Sequence, residues 1–245
     1  MIKRQKTRQI RVGSVKIGGG APISIQSMAK TDTSDVKKVA IQIKRLEAAG
    51  CEIIRVAVKS FDDARAIRDI KRKINIPLVA DIHFNYRLAI ESINSGADKI
   101  RLNPGNIGRR EDIMAVLKAA KKARIPIRIG VNSGSVLTGD DRSISGNKLV
   151  KAVLGYIKLF EEKDFHDIII SLKASDVMTT IEAYRKMSEV CDYPLHLGVT
   201  ASGSYDSGVI KSAIGIGSLL ADGIGDTIRV SLTADPVYEV TAAKR

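Results

Sequence analysis

Eight short aliphatic runs recur along the chain, and a longer amphipathic stretch follows each of the first seven. The runs lie at 22–28 (PISIQSM), 53–58 (IIRVAV), 77–83 (PLVADIH) and 99–104 (KIRLNP). They continue at 126–132 (PIRIGVN), 167–174 (DIIISLKA), 194–200 (PLHLGVT) and 227–232 (TIRVSL). Apolar runs of this length, rich in β-branched residues, read as strands. Four of them open at proline (Pro22, Pro77, Pro126, Pro194), where a missing N–H is tolerated. The stretches at 34–49, 62–73, 85–95, 110–123, 147–163, 176–190 and 207–221 carry apolar residues at helical spacing. Several close on glycine or asparagine signals such as AAG, NSG and ADG.

This alternation over 245 residues predicts an α/β fold, a (β/α)8 TIM barrel with 1–245 as a single domain. Right-handed crossovers would close it, and an open doubly wound sheet is the alternative. The longest polar segment, 135–147 (SVLTGDDRSISGN), follows the fifth strand and falls on the face where barrels carry their sites. The final residues, ADPVYEVTAAKR, begin one more helix and then stop, the pattern expected of an excised or truncated domain.

Strand parity carries the functional argument. One face of a barrel strand packs on the helices and the other lines the interior. The helix-facing set is apolar throughout: Ile54, Val56, Val58; Leu78, Ala80, Ile82; Ile100, Leu102; Ile127, Ile129, Val131; Ile168, Ile170, Leu172; Leu195, Leu197, Val199; Ile228, Val230, Leu232. The inward set is nearly all polar: Gln26 and Met28; Arg55; Asp81 and His83; Arg101 and Asn103; Arg128 and Asn132; Ser171 and Lys173; His196 and Thr200; Arg229 and Ser231. Four arginines and a lysine thus face one carboxylate, Asp81. Unpaired buried charge is costly, so the missing counter-charge is expected to be a ligand. Arginine forks match phosphate oxygens, and a diphosphate is the natural guest. The competing account pairs these arginines with loop carboxylates such as Asp140, Asp141 or Glu111.

The formal charge of +13 is open to nucleic acid, an anionic membrane or an acidic substrate. Lysine-rich helical faces such as KKVAIQIKR and KAAKKAR read as solvated surface. Only 4% of residues are aromatic, so no stacking platform for a nucleic acid is in view. The basic N-terminus has no apolar run behind it, and no stretch of about 18 apolar residues occurs, so neither a signal peptide nor a membrane span is expected. Two cysteines are too few for a disulfide scaffold; Cys51 and Cys191 precede strands and are expected as small hydrophobes at the barrel bottom. A cytoplasmic protein is the resulting expectation. His83, His196 and Asp81 are a conceivable metal set, although histidines of a basic pocket more often donate hydrogen bonds or act as acids. GIGSLLADG at 215–223 lacks phosphate-loop spacing, and Gly215 and Gly217 read as close helix–sheet packing.

The motifs QSM, LVADIHFNYRLA, IRLNPGNIG, IRIGVN, SLKASDV, PLHLGVT and SAIGIGSLLADGIGDTIRVSL, in this order, closely resemble the barrel domain of the 4-hydroxy-3-methylbut-2-enyl diphosphate synthase family. The resemblance runs from about residue 4 to 240. It implies an oxidoreductase of non-mevalonate isoprenoid biosynthesis that reductively opens methylerythritol cyclodiphosphate. It also implies substrate binding by Arg55, Arg101, Asn103, Arg128, Asn132, Lys173, Thr200, Arg229 and Ser231, with Asp81 and His83 as catalytic candidates at the pocket wall. The family's electrons pass through a [4Fe–4S] cluster on a C-terminal domain, fed by flavodoxin or ferredoxin. Nothing in this chain matches that domain, so no cofactor is expected within it. The cluster would come from a homodimer partner or a separate chain. Two positions depart from the family pattern. Ala201 stands where the family usually has an active-site glutamate, and Asn85 where it usually has aspartate. The chain alone is therefore expected to bind the cyclic diphosphate but not to turn it over. The alternatives are a non-catalytic phosphometabolite-binding barrel and a TIM-barrel synthase of the dihydropteroate type.

Overall fold

The computed structural model describes residues 2–107, 109–132, 146–174, 176–200 and 204–245. Eight parallel strands form the expected barrel wall: β3 (Ser24–Met28), β4 (Ile53–Val58), β5 (Leu78–Ile82), β6 (Lys99–Leu102), β7 (Ile127–Asn132), β8 (Ile168–Lys173), β9 (His196–Leu197) and β10 (Thr227–Ile228). Their order is β8-β7-β6-β5-β4-β3-β10-β9, and a parallel bridge between Ile170 and Leu195 joins the two ends. The open doubly wound sheet is thereby excluded. A helix follows every strand: α1 (Val36–Ala49), α2 (Phe61–Lys71), α3 (Tyr86–Asn94), α4 (Arg110–Ala123), α5 (Gly146–Glu161), α6 (Val177–Val190), α7 (Tyr205–Ala221) and α8 (Pro236–Lys244). No helix among the described residues is long and apolar enough to cross a membrane.

Local chemistry sets the boundaries. The Asp35 carboxylate accepts the Lys38 N–H at the start of α1, and Gly50 ends that helix at φ 101°, a left-handed conformation that costs glycine little. Ser60 and Asp63 form a reciprocal capping box on α2. Asn85 caps α3, its Oδ1 accepting from Arg87 N at 3.0 Å, so this departure from the family pattern serves as a helix cap.

The apolar parity set is buried between sheet and helices as expected, except that Val199, expected to face the helices, also lines a cavity at the top of the barrel. Gly215 is where α7 approaches the wall, since a Cβ there would stand 2.7 Å from Val199 Cγ2. Gly217 does not share that role: a Cβ there would meet nothing within 4 Å, and the residue lines a groove between α7 and α8. Strands expected at 194–200 and 227–232 shorten to two residues each. Single bonds carry the wall further, Arg229 N to Leu197 O at 3.0 Å and Thr200 N to Ala174 O at 3.4 Å.

The sequence pattern did not announce the hairpin β1 (Ile10–Val12) and β2 (Val15–Ile17). Its strands pair antiparallel with Ile10 opposite Ile17. Ile10, Val12 and Ile17 pack on Ile53, Val79 and Ile169, inward residues at the N-terminal ends of their strands. The hairpin is an apolar stopper beneath the barrel. The segment before it lies along the same end, with Gln5 N on Gly223 O and Arg8 N on Asp192 O. Cys51, just before β4, is buried, while Cys191, before β9, is only partly so; burial pushes both thiols up to about 11. They are poor nucleophiles at neutral pH.

Ile17 has no solvent exposure. Ile17→Ala should lower unfolding free energy by about 2–5 kcal/mol, read from urea denaturation followed by circular dichroism. A loss below about 1 kcal/mol would show that the stopper is not part of the cooperative core.

Candidate functional site

Above the apolar stopper the barrel interior turns polar. A cavity of about 170 Å³ opens at the C-terminal ends of the strands. Its wall takes Met28 from β3, Arg55 from β4, Asp81 from β5 and Arg101 from β6. Arg128, Ser171 and Lys173 follow from β7 and β8, and His83, Val199, Thr200, Arg229 and Ser231 complete it. A wider chamber of about 480 Å³ adjoins it, sharing Met28, His83, Arg229 and Ser231 and reaching Lys30 and Lys59. Seven of the nine expected ligand-binding residues therefore converge on one cavity. Asn103 is buried, with Oδ1 lacking a partner, but does not line it. The Asn132 side chain and Ala201 lie outside the described residues, although the Asn132 backbone pairs with Lys173 in register.

Sheet register explains the convergence. Asp81 is level with Arg101, and Arg101 with Arg128, on adjacent strands. Asp81 is shared: Oδ2 lies 3.4 Å from Arg55 Nε and 3.6 Å from His83 Nε2, and Oδ1 lies 3.2 Å from Arg101 Nη1. Burial alone would raise this carboxyl, but Arg55, His83, Arg101 and Arg128 together hold it well below the usual range. Arg101 also donates from Nη2 to the Gly130 carbonyl at 3.1 Å. Arg55 points Nη2 at the Met28 sulfur, 2.8 Å away, a weak acceptor for so strong a donor.

Sequence reasoning missed two charged groups. Glu239, on α8, is buried and lies 3.4 Å from Arg229 Nη2. It also accepts from Ser27 Oγ at 3.3 Å and from Leu232 N at 3.1 Å. A single acid in a nine-residue helix leaves no periodic signal. Lys99 precedes Arg101 by two residues and shares its inward parity, so its signal was present; it is wholly buried with Nζ 3.5 Å from Gln26 Oε1. His196, also wholly buried, has no partner for either ring nitrogen. It sits below the cavity and does not join Asp81 and His83, and no group of three metal-ligating side chains occurs among the described residues. Of the carboxylates in the competing account, Glu111 is exposed on α4, and Asp140 and Asp141 lie outside the described residues.

Five cations thus meet two carboxylates. Arg55 and Arg101 share Asp81, and Arg229 has Glu239. Arg128 is 1% exposed, has no partner at Nε or Nη1, and forms no ion pair among the described residues; neither does Lys173. Burial, then Arg55 and Arg101, pulls Arg128 well below its ordinary value. Burial pulls Arg55 down to about 10, with Asp81 opposing. Donors of fixed geometry in a buried site with too little negative charge are equipped to receive an anion.

The profile of the GcpE TIM-barrel domain matches residues 7–244. The chain belongs to the GcpE family. It is 58% identical over 249 residues to "4-hydroxy-3-methylbut-2-en-1-yl diphosphate synthase (flavodoxin)" of Caldanaerobacter subterraneus subsp. tengcongensis, covering 100% of this chain and 70% of that protein. It is 56% identical over 246 residues to the protein of the same name from Clostridium perfringens, covering 99% and 70%. Among solved structures, dihydropteroate synthase from Stenotrophomonas maltophilia superposes with a TM-score of 0.70 at 13% identity, covering 97% of this chain and 96% of that one. The Xanthomonas albilineans dihydropteroate synthase in complex with 7,8-dihydropteroate gives 0.67 at 12%, covering 96% and 97%. At such identity these structures share the barrel alone.

Within this GcpE barrel, two inward glycines make room for the cations. A Cβ on Gly130 would stand 2.7 Å from Arg101 Nε, and one on Gly198 would stand 2.7 Å from Lys173 Nζ. Gly130 meets only the Arg101 side chain at that range. Gly130→Ala should therefore displace the guanidinium from Asp81 while the barrel still folds. The expected loss is about tenfold or more in anion affinity, read by calorimetry beside an unchanged circular dichroism spectrum. Unaltered affinity would show that Arg101 does not contact the anion.

Proposed function

We propose that this chain binds methylerythritol cyclodiphosphate in the cationic cavity, as the barrel of a 4-hydroxy-3-methylbut-2-en-1-yl diphosphate synthase. The observation that carries this reading is the unbalanced charge: among the described residues Arg128 and Lys173 have no carboxylate partner, and a buried guanidinium is costly unless something negative meets it. Arg55, Arg101, Arg128, Lys173 and Arg229 would grip the diphosphate oxygens. Thr200 and Ser231 would donate to the same group from the rim, with Asn103 and Asn132 near it. Asp81 fixes Arg55 and Arg101 rather than touching an anion, because an ionised carboxylate has no proton to donate and repels a second negative charge. His83 stands half exposed at the mouth, where it can give a proton to a departing oxygen.

The cavity also speaks against a pterin. Its lining contains no phenylalanine, tyrosine or tryptophan for a flat ring to stack on, and its volume suits a compact anion better than a drug-sized ligand.

The relatives' name includes flavodoxin, and for this chain the proposal is a reduction of the bound cyclic diphosphate with flavodoxin as electron donor. An iron–sulfur cluster does not fit the residues present. Cys51 and Cys191 lie at the N-terminal ends of different strands, opposite to the cavity, and a cluster needs three or four such ligands together. This barrel's part is to hold the cyclic diphosphate, neutralise it and shield it from water.

Titration calorimetry tests the reading. The chain should bind methylerythritol cyclodiphosphate with a dissociation constant of about 1 μM or tighter. Arg128→Ala should weaken it by about 30-fold or more, the cost of one charge-assisted donor pair. Absence of binding by the unaltered chain, or indifference to Arg128→Ala, would overturn it.

A further inference from the structure

Among the five cations of the cavity, Lys173 is the one that can give up its charge. Arginine keeps its proton in proteins, whereas a buried lysine sheds it readily. Lys173 extends from β8 across Gly198 of the neighbouring wall. Among the described residues, the charged groups that weigh most on it are Arg229, Arg128, Arg55 and Arg101, all positive. His196 lies below it on β9, Thr200 and Ser171 are uncharged, and the two carboxylates are committed elsewhere, Asp81 to Arg55 and Arg101 and Glu239 to Arg229 and Lys30. Burial, reinforced by those four guanidiniums, holds the amine well below its ordinary value. Lys99 and His196 are shifted the same way, but neither reaches the cavity wall.

We propose that Lys173 is the proton-accepting group of the cradle: neutral when the cavity is empty, it takes up one proton from solvent as the anion enters and completes the grip as an ammonium. The step is R–NH2 + H⁺ → R–NH3⁺, with no bond made or broken in the ligand. It rests on the anion-binding role proposed above and adds the protonation state in which binding occurs. The cradle then carries less unpaired charge while it waits, and the ligand supplies the negative field that makes the ammonium stable. The sign follows from linkage. Binding that consumes a proton weakens as pH rises, by up to about tenfold per unit between the lowered pKa of the empty site and the raised one of the loaded site.

The test is calorimetry at about pH 8 in buffers of different ionisation enthalpy, with two probes whose own acids stay ionised: methylerythritol cyclodiphosphate and inorganic trimetaphosphate. The expected result is uptake of about one proton per anion bound, retained in Lys99→Met and lost in Lys173→Arg, which is always charged. Isotope-labelled lysine gives a second readout that does not need the variant to bind. The Lys173 signal, assigned by its absence from Lys173→Arg, should move from the neutral to the charged shift on addition of either anion. Binding without proton uptake, or uptake that survives in Lys173→Arg, overturns the assignment to Lys173 and leaves the cradle standing. Trimetaphosphate bound with uptake while the cyclic diphosphate is ignored supports Lys173 and overturns the substrate. Failure of both anions to bind overturns both.

Discussion

The interior of this barrel is organised around one carboxylate serving two guanidiniums. Asp81 spends its oxygens on Arg55 and Arg101 and is itself buried. Remove its charge and two arginines in the centre of the wall lose the one carboxylate they contact among the described residues. Such a vacancy costs several kcal/mol in a buried site. Around this triad the remaining cations are set by register, Arg128 beside Arg101 and Lys173 four residues above Ile169, Arg128's neighbour on β8. Glu239 repeats the device on the far side, fastening Arg229 to α8 and to the Ser27 hydroxyl of β3. The two carboxylates define which cations are already satisfied and, by difference, which are available to a ligand.

A barrel can hold this much charge only if stability comes from elsewhere. Two apolar regions supply it. One is the continuous layer between strands and helices, where each outward residue of β4 to β8 is buried. The other is the stopper beneath, where the hairpin closes on Ile53, Val79 and Ile169. The polar interior therefore starts about one layer up. Its lower part holds Lys99, Gln26 and His196, with atoms that find no protein partner, and its upper part is the open cavity. Bound solvent is the ordinary way such atoms are satisfied. The gradient from apolar floor to charged mouth places the strongest field at the end where a ligand enters.

Most of this was legible in the sequence, for a definite reason. Period-two alternation fixes which face every strand residue takes, so Arg55, Arg101, Arg128, Lys173 and Arg229 could be assigned to one interior from their positions alone. What escaped did so because no periodicity governs it. The strands of the hairpin are three residues long, too short to alternate visibly. Glu239 reaches the site from outside the wall, through a helix that packs against β3, and parity says nothing of helices behind the sheet. Gly217, expected to pack like Gly215, sits on the far side of its helix turn because two residues of α-helix rotate it well away from the wall. Lys99 is a different case: it obeys the parity rule, and only the habit of placing lysine at the surface hides it.

The inward glycines show how volume and charge are fitted together. A barrel of eight strands has just enough interior for side chains to fill it, so long cations cannot point inward from every strand. Here they alternate with residues that have no side chain. Gly130 sits two residues after Arg128 and receives Arg101 from the next strand, and Gly198 sits two residues after His196 and receives Lys173. Each long side chain thus lies across its neighbour's backbone instead of extending upward, and Arg101 gains the Gly130 carbonyl as an acceptor in doing so. A cavity of about 170 Å³ is left open beside them. Space above the cations is therefore created in part from below, by the two glycines that receive Arg101 and Lys173.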